Sequence, residues 1–89
     1  MVAVRLDAML REFAAKQELT TDATSVGGLL DDLEQRYPRL RFRLRDEAGR
    51  VRPFVRVFLN GSEVDRGHPL EVPLGPTDTV DILHSIQGG

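Results

Sequence analysis

Cysteine is absent from this sequence, and histidine occurs only at His68 and His84. Without cysteine there is no disulfide framework, no thiolate metal site and no thiol nucleophile. The two histidines fall on a predicted loop and a predicted strand, and their spacing is not that of a metal-ligand pair. No serine stands in a nucleophile-elbow sequence, and no glycine-rich loop precedes a helix as in phosphate-binding sites. We therefore predict that the chain is not an enzyme and binds no metal or cofactor of its own.

Long hydrophobic runs are also absent. The longest apolar stretches are only a few residues, too short to span a bilayer, and the alternating N-terminal sequence is unlike a signal peptide. A small domain without disulfides suits the cytoplasm, so we expect a cytoplasmic protein that does not bind membranes. A chain of 89 residues is one domain, too small to enclose and support a deep substrate cavity.

The formal net charge of the chain is only −2, so neither sign of charge dominates. The charged residues are nevertheless unevenly distributed along the sequence. From Arg36 to Arg56, eight arginines face only Asp46 and Glu47, which gives this segment a net charge of +6. Nucleic-acid modules combine net basic charge with exposed aromatics, and the alternation around Phe42 predicts that this ring points inward. We therefore interpret the segment as a solvated basic face that can also meet an acidic partner, and we expect no nucleic-acid binding.

The two ends of the chain have the pattern of buried strands. Val2, Val4 and Leu6 alternate with polar or small residues, and the segment Thr79–Ile86 places Val80 and Ile82 inward by the same alternation. Both strands are expected at the centre of one sheet. If they are parallel, they need a helical crossover between them.

One amphipathic helix supplies that crossover. Apolar residues recur at spacings of three and four on a single helical face, and they are Val26, Leu29, Leu30, Leu33 and Tyr37. Thr24 or Ser25 is the predicted N-cap, and Pro38 ends the helix. Gly27 and Gly28 in the first turn are interpreted as allowing close approach to the sheet.

The remaining segments are shorter. Met9 to Phe13 is predicted to form a turn or short helix, and Glu18 to Thr21 a short strand. Apolar residues alternate with arginines from Leu40 to Leu44, a pattern that fits either a strand or a short helical turn. The segment Phe54–Leu59 is the clearest strand, and Asn60-Gly61 after it predicts a hairpin to a partner strand over 63–65, followed by a loop over 66–78.

These elements predict an α+β fold of the ubiquitin-like β-grasp type. We expect a mixed sheet of four to five strands with one main helix packed on one face. Residues 1–85 form the predicted domain, and residues 86–89 form a flexible C-terminal diglycine tail.

The tail is where the chemistry is predicted. Glycine has no Cβ, so Gly88 lets the backbone enter a narrow channel of a partner and bring the Gly89 carboxylate to a reactive centre. Glycine-rich ends are also common as disordered or added sequence. In this chain, however, the diglycine follows a predicted strand that ends the β-grasp pattern, which favours the functional interpretation.

Four pieces of the chain together resemble the MoaD/ThiS sulfur-carrier family, prokaryotic relatives of ubiquitin. The match covers the full length, and the pieces are Val26–Glu34 with Tyr37-Pro38, Phe54–Gly61, Asp78–Leu83 and Gly88-Gly89. The stretch Leu44–Phe54 most resembles the CysO-like branch, and the molybdopterin synthase small subunit is the nearest rival. Gln87 departs from the small or apolar residue usual before the diglycine, which can tune which enzyme accepts the tail.

The resemblance implies a mechanism for Gly89. A partner similar to the ubiquitin-activating enzymes would adenylate Gly89 with ATP and magnesium, and a sulfur donor would convert it to a thiocarboxylate. The sulfur would pass to a biosynthetic enzyme that makes cysteine or a secondary metabolite, and a metalloprotease that trims the tail is a further implied partner. In this scheme the chain is a co-substrate of its partners. The alternatives are a modifier conjugated to protein lysines through Gly89 and an interaction domain with an inert tail.

A partner-binding patch is predicted beside the root of the tail. The strand alternation predicts two sets of residues on opposite faces. If Val55, Val57 and Leu59 face the helix, then Phe54, Arg56 and Phe58 face the other way. We predict that the activating enzyme binds Phe58, Leu83 and Ile86, with Arg56 at the rim. The alternative is that the loop from Arg66 to Pro76 folds over these residues and makes them ordinary core.

Overall fold

The computed structural model describes residues 1–14, 18–65 and 67–84. In these ranges the strands are β1 (Val2–Leu6), β2 (Glu18–Thr21), β3 (Val55–Leu59), β4 (Ser62–Glu63) and β5 (Thr79–His84). The α-helices are α1 (Ala8–Ala14) and α2 (Val26–Arg36), and 3-10 helices cover Pro38–Leu40 and Pro69–Glu71. No helix in the described ranges has both the length and the apolar character needed to cross a bilayer.

The strands form one mixed sheet in the order β2-β1-β5-β3-β4. The central pair, β1 and β5, is parallel with Val4 opposite Val80, and the other pairs are antiparallel. A parallel pair requires a crossover, which α2 provides on one face of the sheet. The predicted α+β β-grasp fold is confirmed, with α1 as a second, shorter helix.

Helix α2 is capped by Ser25 and buries one face. The Ser25 hydroxyl accepts a hydrogen bond from the Gly28 amide at 3.1 Å, so Ser25 and not Thr24 is the N-cap. The residues of α2 buried against the sheet are Val26, Leu29, Leu30 and Leu33. At the other end, the Tyr37 amide donates to the Leu33 carbonyl, and Pro38 then starts a 3-10 helix.

The loop before β5 packs against the start of α2. The Val26 amide donates to Val72 O at 3.0 Å, and the Leu74 amide donates to Thr24 O at 2.9 Å. A Cβ at Gly27 would lie only 3.1 Å from Leu70 O, so glycine at this position eases the close approach of the loop, and not contact with the sheet as the sequence suggested. Residues 70–74 therefore lie on the helix side of the sheet.

Segment 38–44 departs from the alternation predicted for it. Leu40 and Leu44 are fully buried, but Phe42 is 53% exposed, with a φ of 64°. The 3-10 turn and the left-handed residue after it break the two-residue period, so the prediction that Phe42 points inward was wrong.

Two exposed turns are held by carboxylates with lowered pKa values. Asp78 accepts from the Gly75 amide at 2.7 Å and from Asn60 Nδ2 at 3.0 Å, and these hydrogen bonds, the Gly75 bond first, lower the pKa of Asp78. The amides of Arg50 and Ala48 donate to Asp46, which lowers the pKa of Asp46 in the same way.

These shifts predict a loss of stability in acid that depends partly on Asp78. A carboxylate whose pKa is lower in the folded state stabilises the fold above its unfolded pKa, and this contribution is lost as pH falls through the folded value. Asp78→Asn is therefore expected to lower the Tm at neutral pH and to reduce the further drop on acidification to about pH 3. Thermal melts of both proteins across this range measure the effect, and parallel curves would contradict it.

Candidate functional site at the end of strand β5

Strand β5 is the central strand that runs into the predicted tail. It is paired on both sides, with Ile82 opposite Leu6 of β1 and His84 opposite Val55 of β3. Four sequence-based predictions lie outside the described residues. They are the reacting residue Gly89, the tail-clearance residue Gly88, the partner contact Ile86 and the domain boundary after residue 85. The described site is therefore the root of the tail, which ends at His84.

Asp7 ties the root of the tail to the rest of the fold. Its Oδ1 accepts from the Leu10 amide at 3.0 Å at the start of α1, and its Oδ2 accepts from the His84 amide. The Asp7 amide in turn donates to Ile82 O at 3.2 Å. One carboxylate thus joins β1, α1 and β5, which fixes the point from which the chain leaves the sheet.

Asp7 is not among the residues predicted from the sequence, although the sequence contains a signal for it. Aspartate directly before a helical stretch is a preferred N-cap, and Asp7 stands just before α1. Its second bond, to His84, joins residues 77 positions apart in the sequence and follows only from the sheet pairing.

His84 packs on the helix side of the sheet against Phe54. The centroids of the two rings are 4.8 Å apart, and Phe54 packs against the buried core. The prediction that Phe54 shares a face with Arg56 and Phe58 was therefore wrong, because β3 begins only at Val55 and alternation does not extend to the turn before it. His84 Nδ1 is buried and has no hydrogen-bond partner among the described residues.

Three of the predicted docking residues lie together on the face of the sheet opposite the helices. Arg56 is directly opposite Leu83, and Phe58 lies two residues along β3, opposite Asp81. Leu83 is 39% exposed, Phe58 is half-buried, and both are on the side away from the buried Val57 and Ile82. We call Arg56, Phe58 and Leu83 the docking face. Since residues 70–74 pack on the other side of the sheet, that part of the loop does not cover the docking face.

Ion pairs frame the docking face. Arg5 of β1 makes two hydrogen bonds to Asp81, at 2.6 and 3.0 Å, and the Asp81 carboxylate holds the pKa of Arg5 above its ordinary value. On the other side, Arg56 Nε lies 3.7 Å from Glu63 Oε2. Phe58 and Leu83 therefore form a small apolar area within mixed charge, as at the rim of many transient interfaces.

The described residues contain no group of three or more side chains that could hold a metal ion. A groove of about 460 Å³ lies between the turn at 48–51 and residues 67–71, and none of the docking-face residues lines it. At the root of the tail, Asp7 is the acidic group, and both of its oxygens are occupied by backbone amides. The described site offers a positioned strand end and a docking face but no acid–base pair.

The model of the ThiS family matches residues 4–89, from β1 to the end of the diglycine. The chain belongs to the ThiS family. Sulfur carrier protein CysO of Mycobacterium tuberculosis is 28% identical over 91 residues, covering 99% of this chain and 98% of the relative. Small archaeal modifier protein 3 of Haloferax volcanii is 32% identical, covering 97% and 96% of the two chains. A molybdopterin synthase sulfur carrier subunit of Mycobacterium tuberculosis is 37% identical over 68 residues, covering 76% and 68%.

A solved structure agrees with these relatives. The Amycolatopsis orientalis BexX/CysO complex contains a chain with a TM-score of 0.87 and 27% identity, with full coverage of both chains. The ThiS-family chain thus has the ubiquitin-like β-grasp of small sulfur carriers, as the resemblance implied, and its similarity to CysO is consistent with the CysO-like branch. Its relatives are small carrier proteins and not catalysts.

Proposed function

We propose that the ThiS-family chain is a sulfur carrier that works through the Gly89 carboxylate. An ATP-dependent partner similar to the ubiquitin-activating enzymes adenylates Gly89, and the product is converted to a thiocarboxylate. That thiocarboxylate donates sulfur in the biosynthesis of cysteine or of a sulfur-containing metabolite. The observation that supports the proposal best is the central strand β5, anchored by Asp7 and leading to a diglycine that the family model includes.

The proposed chemistry proceeds in two substitutions. A Gly89 carboxylate oxygen attacks the α-phosphorus of ATP, and pyrophosphate leaves. Sulfide or an equivalent sulfur donor then attacks the acyl carbon of the adenylate, AMP leaves, and a thiocarboxylate remains. In this proposal the partner binds the ATP and magnesium that the first substitution consumes.

The docking face is consistent with a mechanism in which the partner supplies the catalytic groups and this chain supplies the reacting carboxylate. A partner that takes up a glycine tail also needs a surface on the folded domain to grip, and Phe58 and Leu83 lie beside the strand that carries the tail. Arg56, next to Leu83, supplies a charged rim contact. In this proposal the chain contributes position and a reacting carboxylate, and the partner contributes the catalytic groups.

Intact mass spectrometry tests the proposal directly. The protein is incubated with ATP, magnesium, sulfide and the adenylating enzyme encoded in the same genome. We expect a species heavier by the difference between sulfur and oxygen, absent without ATP and absent when Gly89 is deleted. A single unchanged mass under all conditions would refute the proposal.

Two other functions are supported by particular relatives. Similarity to a small archaeal modifier protein supports a modifier that is conjugated to lysines through Gly89, and similarity to a molybdopterin synthase sulfur carrier subunit supports a role in that synthase. Gly89-dependent isopeptide ladders in lysate would favour the first. Sulfur transfer to a molybdopterin precursor by the thiocarboxylate form, together with the large synthase subunit, would favour the second.

A further inference from the structure

The eight arginines between Arg36 and Arg56, where the positive charge of the chain is concentrated, divide into two groups. Four have carboxylate partners within 3.7 Å, and these are Arg36, Arg45, Arg50 and Arg56. Across the described ranges 1–14, 18–65 and 67–84, no carboxylate pairs with Arg39, Arg41, Arg43 or Arg52. The excess positive charge of the segment is therefore concentrated on and around residues 39–43.

The three exposed members of the second group surround two aromatic rings. The guanidinium carbons of Arg39 and Arg43 lie 5.5 and 4.6 Å from the centroid of the Phe13 ring. The Arg41 guanidinium carbon lies 5.7 Å from the centroid of the exposed Phe42 ring. We call Arg39, Arg41, Phe42 and Arg43 the basic surface.

Phe42 has a backbone conformation that favours glycine. Its φ of 64° is left-handed, where an L residue with a Cβ is disfavoured, and Arg52 Nε donates to its carbonyl oxygen to support the turn. The side chain is nevertheless a large aromatic that is 53% exposed. Burial within the described fold therefore does not explain a phenylalanine at this position.

The basic surface lies at the tail end of the molecule. Helix α1, which carries Phe13, starts at Asp7, whose carboxylate also binds the His84 amide. The same helix packs against the 3-10 helix Pro38–Leu40, which carries Arg39. A protein that holds the tail is therefore well placed to contact residues 39–43.

We propose that the basic surface is a second docking surface for the enzyme that adenylates the tail, and that it meets an acidic surface of that enzyme. Phe42 is the apolar anchor of this contact, and the three arginines provide charge complementarity. The proposal rests on the proposed function, since it assumes such an enzyme. Nucleic acid is the less favoured partner, because the chain as a whole carries −2 and the guanidiniums of Arg39 and Arg43 already pack on Phe13.

Charge reversal tests the basic surface. Arg41→Glu combined with Arg43→Glu is compared with the parent chain in carrier-dependent ATP–pyrophosphate exchange and in calorimetric binding to the adenylating enzyme. We expect kcat/KM and affinity to fall about tenfold or more at low salt, with kcat at saturating carrier nearly unchanged, and we expect added salt to narrow the difference. The matched control for the single variant Arg41→Glu is Arg50→Glu, which makes the same charge change at an exposed arginine outside the basic surface. Arg50→Glu should lose far less affinity for the enzyme than Arg41→Glu.

Phe42→Gly separates binding from folding. Glycine suits a φ of 64°, so this variant should keep or raise the Tm while its affinity for the enzyme falls about tenfold. Unchanged affinity would remove Phe42 from the contact and overturn its role as anchor.

The outcomes distinguish this proposal from the proposed function. If the parent chain supports exchange and the double variant does so equally well, or if Arg50→Glu loses as much as Arg41→Glu, the basic surface is not a docking surface. If the parent binds the enzyme and the double variant does not, but no exchange occurs, the surface is upheld and the sulfur-carrier proposal fails. Parent binding to a labelled single-stranded RNA, lost in the double variant while enzyme binding is unchanged, would overturn the proposal in favour of nucleic acid.

Discussion

Replacement of Gly88 by valine is expected to abolish sulfur loading at Gly89 while leaving the Tm unchanged. The core residues that the structure describes lie between Val2 and Ile82, and we expect the change at position 88 to leave their packing intact. In the proposed mechanism, however, the tail must enter a narrow channel of the adenylating enzyme. A branched Cβ next to the reacting residue would clash there and displace the carboxylate, and misplacement of a reacting group by about 1 Å can cost about 100-fold in rate.

The measurement is the rate of thiocarboxylate formation by intact mass, with thermal melts on the same samples. We expect at least a 100-fold lower rate for Gly88→Val, on the order of the misplacement effect above. Gln87→Ala is the matched control, because it changes the adjacent residue without adding a branched side chain at the diglycine. This control should load within a few-fold of the parent.

Two results would contradict the prediction. Normal loading of Gly88→Val would mean that no narrow channel surrounds the tail. A lowered Tm in that variant would mean that the tail contributes to the fold, and the loss of loading would then have a structural cause.

Much of the fold follows from periodicity in the sequence. The alternation of Val2, Val4 and Leu6 and the helical spacing of Leu29, Leu30 and Leu33 each predict a single buried face, and all six residues are buried. Buried strands at the two ends with one helix between them also predict the parallel pair, since a crossover is available. These features are local or depend on a single packing step, which is why the sequence reveals them.

The errors arose where alternation was extended beyond a strand. Phe54 precedes β3 and Phe42 follows a 3-10 turn, so neither side chain obeys the two-residue period. The glycine-like conformation of Phe42 was not predictable from its residue type, because phenylalanine rarely adopts it. Tertiary contacts, including the Arg52 bond to the Phe42 carbonyl, stabilise that turn.

The candidate site depended even more on tertiary structure. Alternation within β3 correctly placed Arg56 and Phe58 on the face away from the helices, and their position beside Leu83 followed from strand pairing. The sequence did not reveal which arginines form ion pairs. Arg45 binds Glu34 and Asp31 on α2, whereas the guanidiniums of Arg41 and Arg43 lie near aromatic rings and pair with no carboxylate in the described part of the chain. Ion-pair partners far apart in sequence cannot be assigned before the helix and the segment after it are packed together.

Neighbouring residues on β5 give a sharp test of the docking face. Ile82 is fully buried and Leu83 is 39% exposed on the opposite face, so alanine removes a similar volume from two different environments. Ile82→Ala is expected to cost about 2–5 kcal/mol of unfolding free energy because it leaves a cavity in the core. Leu83→Ala is expected to change that free energy by about 0.5 kcal/mol or less, as for most surface substitutions.

Binding to the adenylating enzyme should show the reverse order. Leu83→Ala and Phe58→Ala are each expected to weaken binding about tenfold, as truncation at a small apolar contact commonly does. Folded Ile82→Ala should bind like the parent, because its missing atoms face the helix and not the partner. Urea unfolding and calorimetric titration measure the two free energies on the same proteins. If Leu83→Ala unfolds as readily as Ile82→Ala, the docking face is core; if both outward-facing variants bind normally, the enzyme grips the carrier elsewhere.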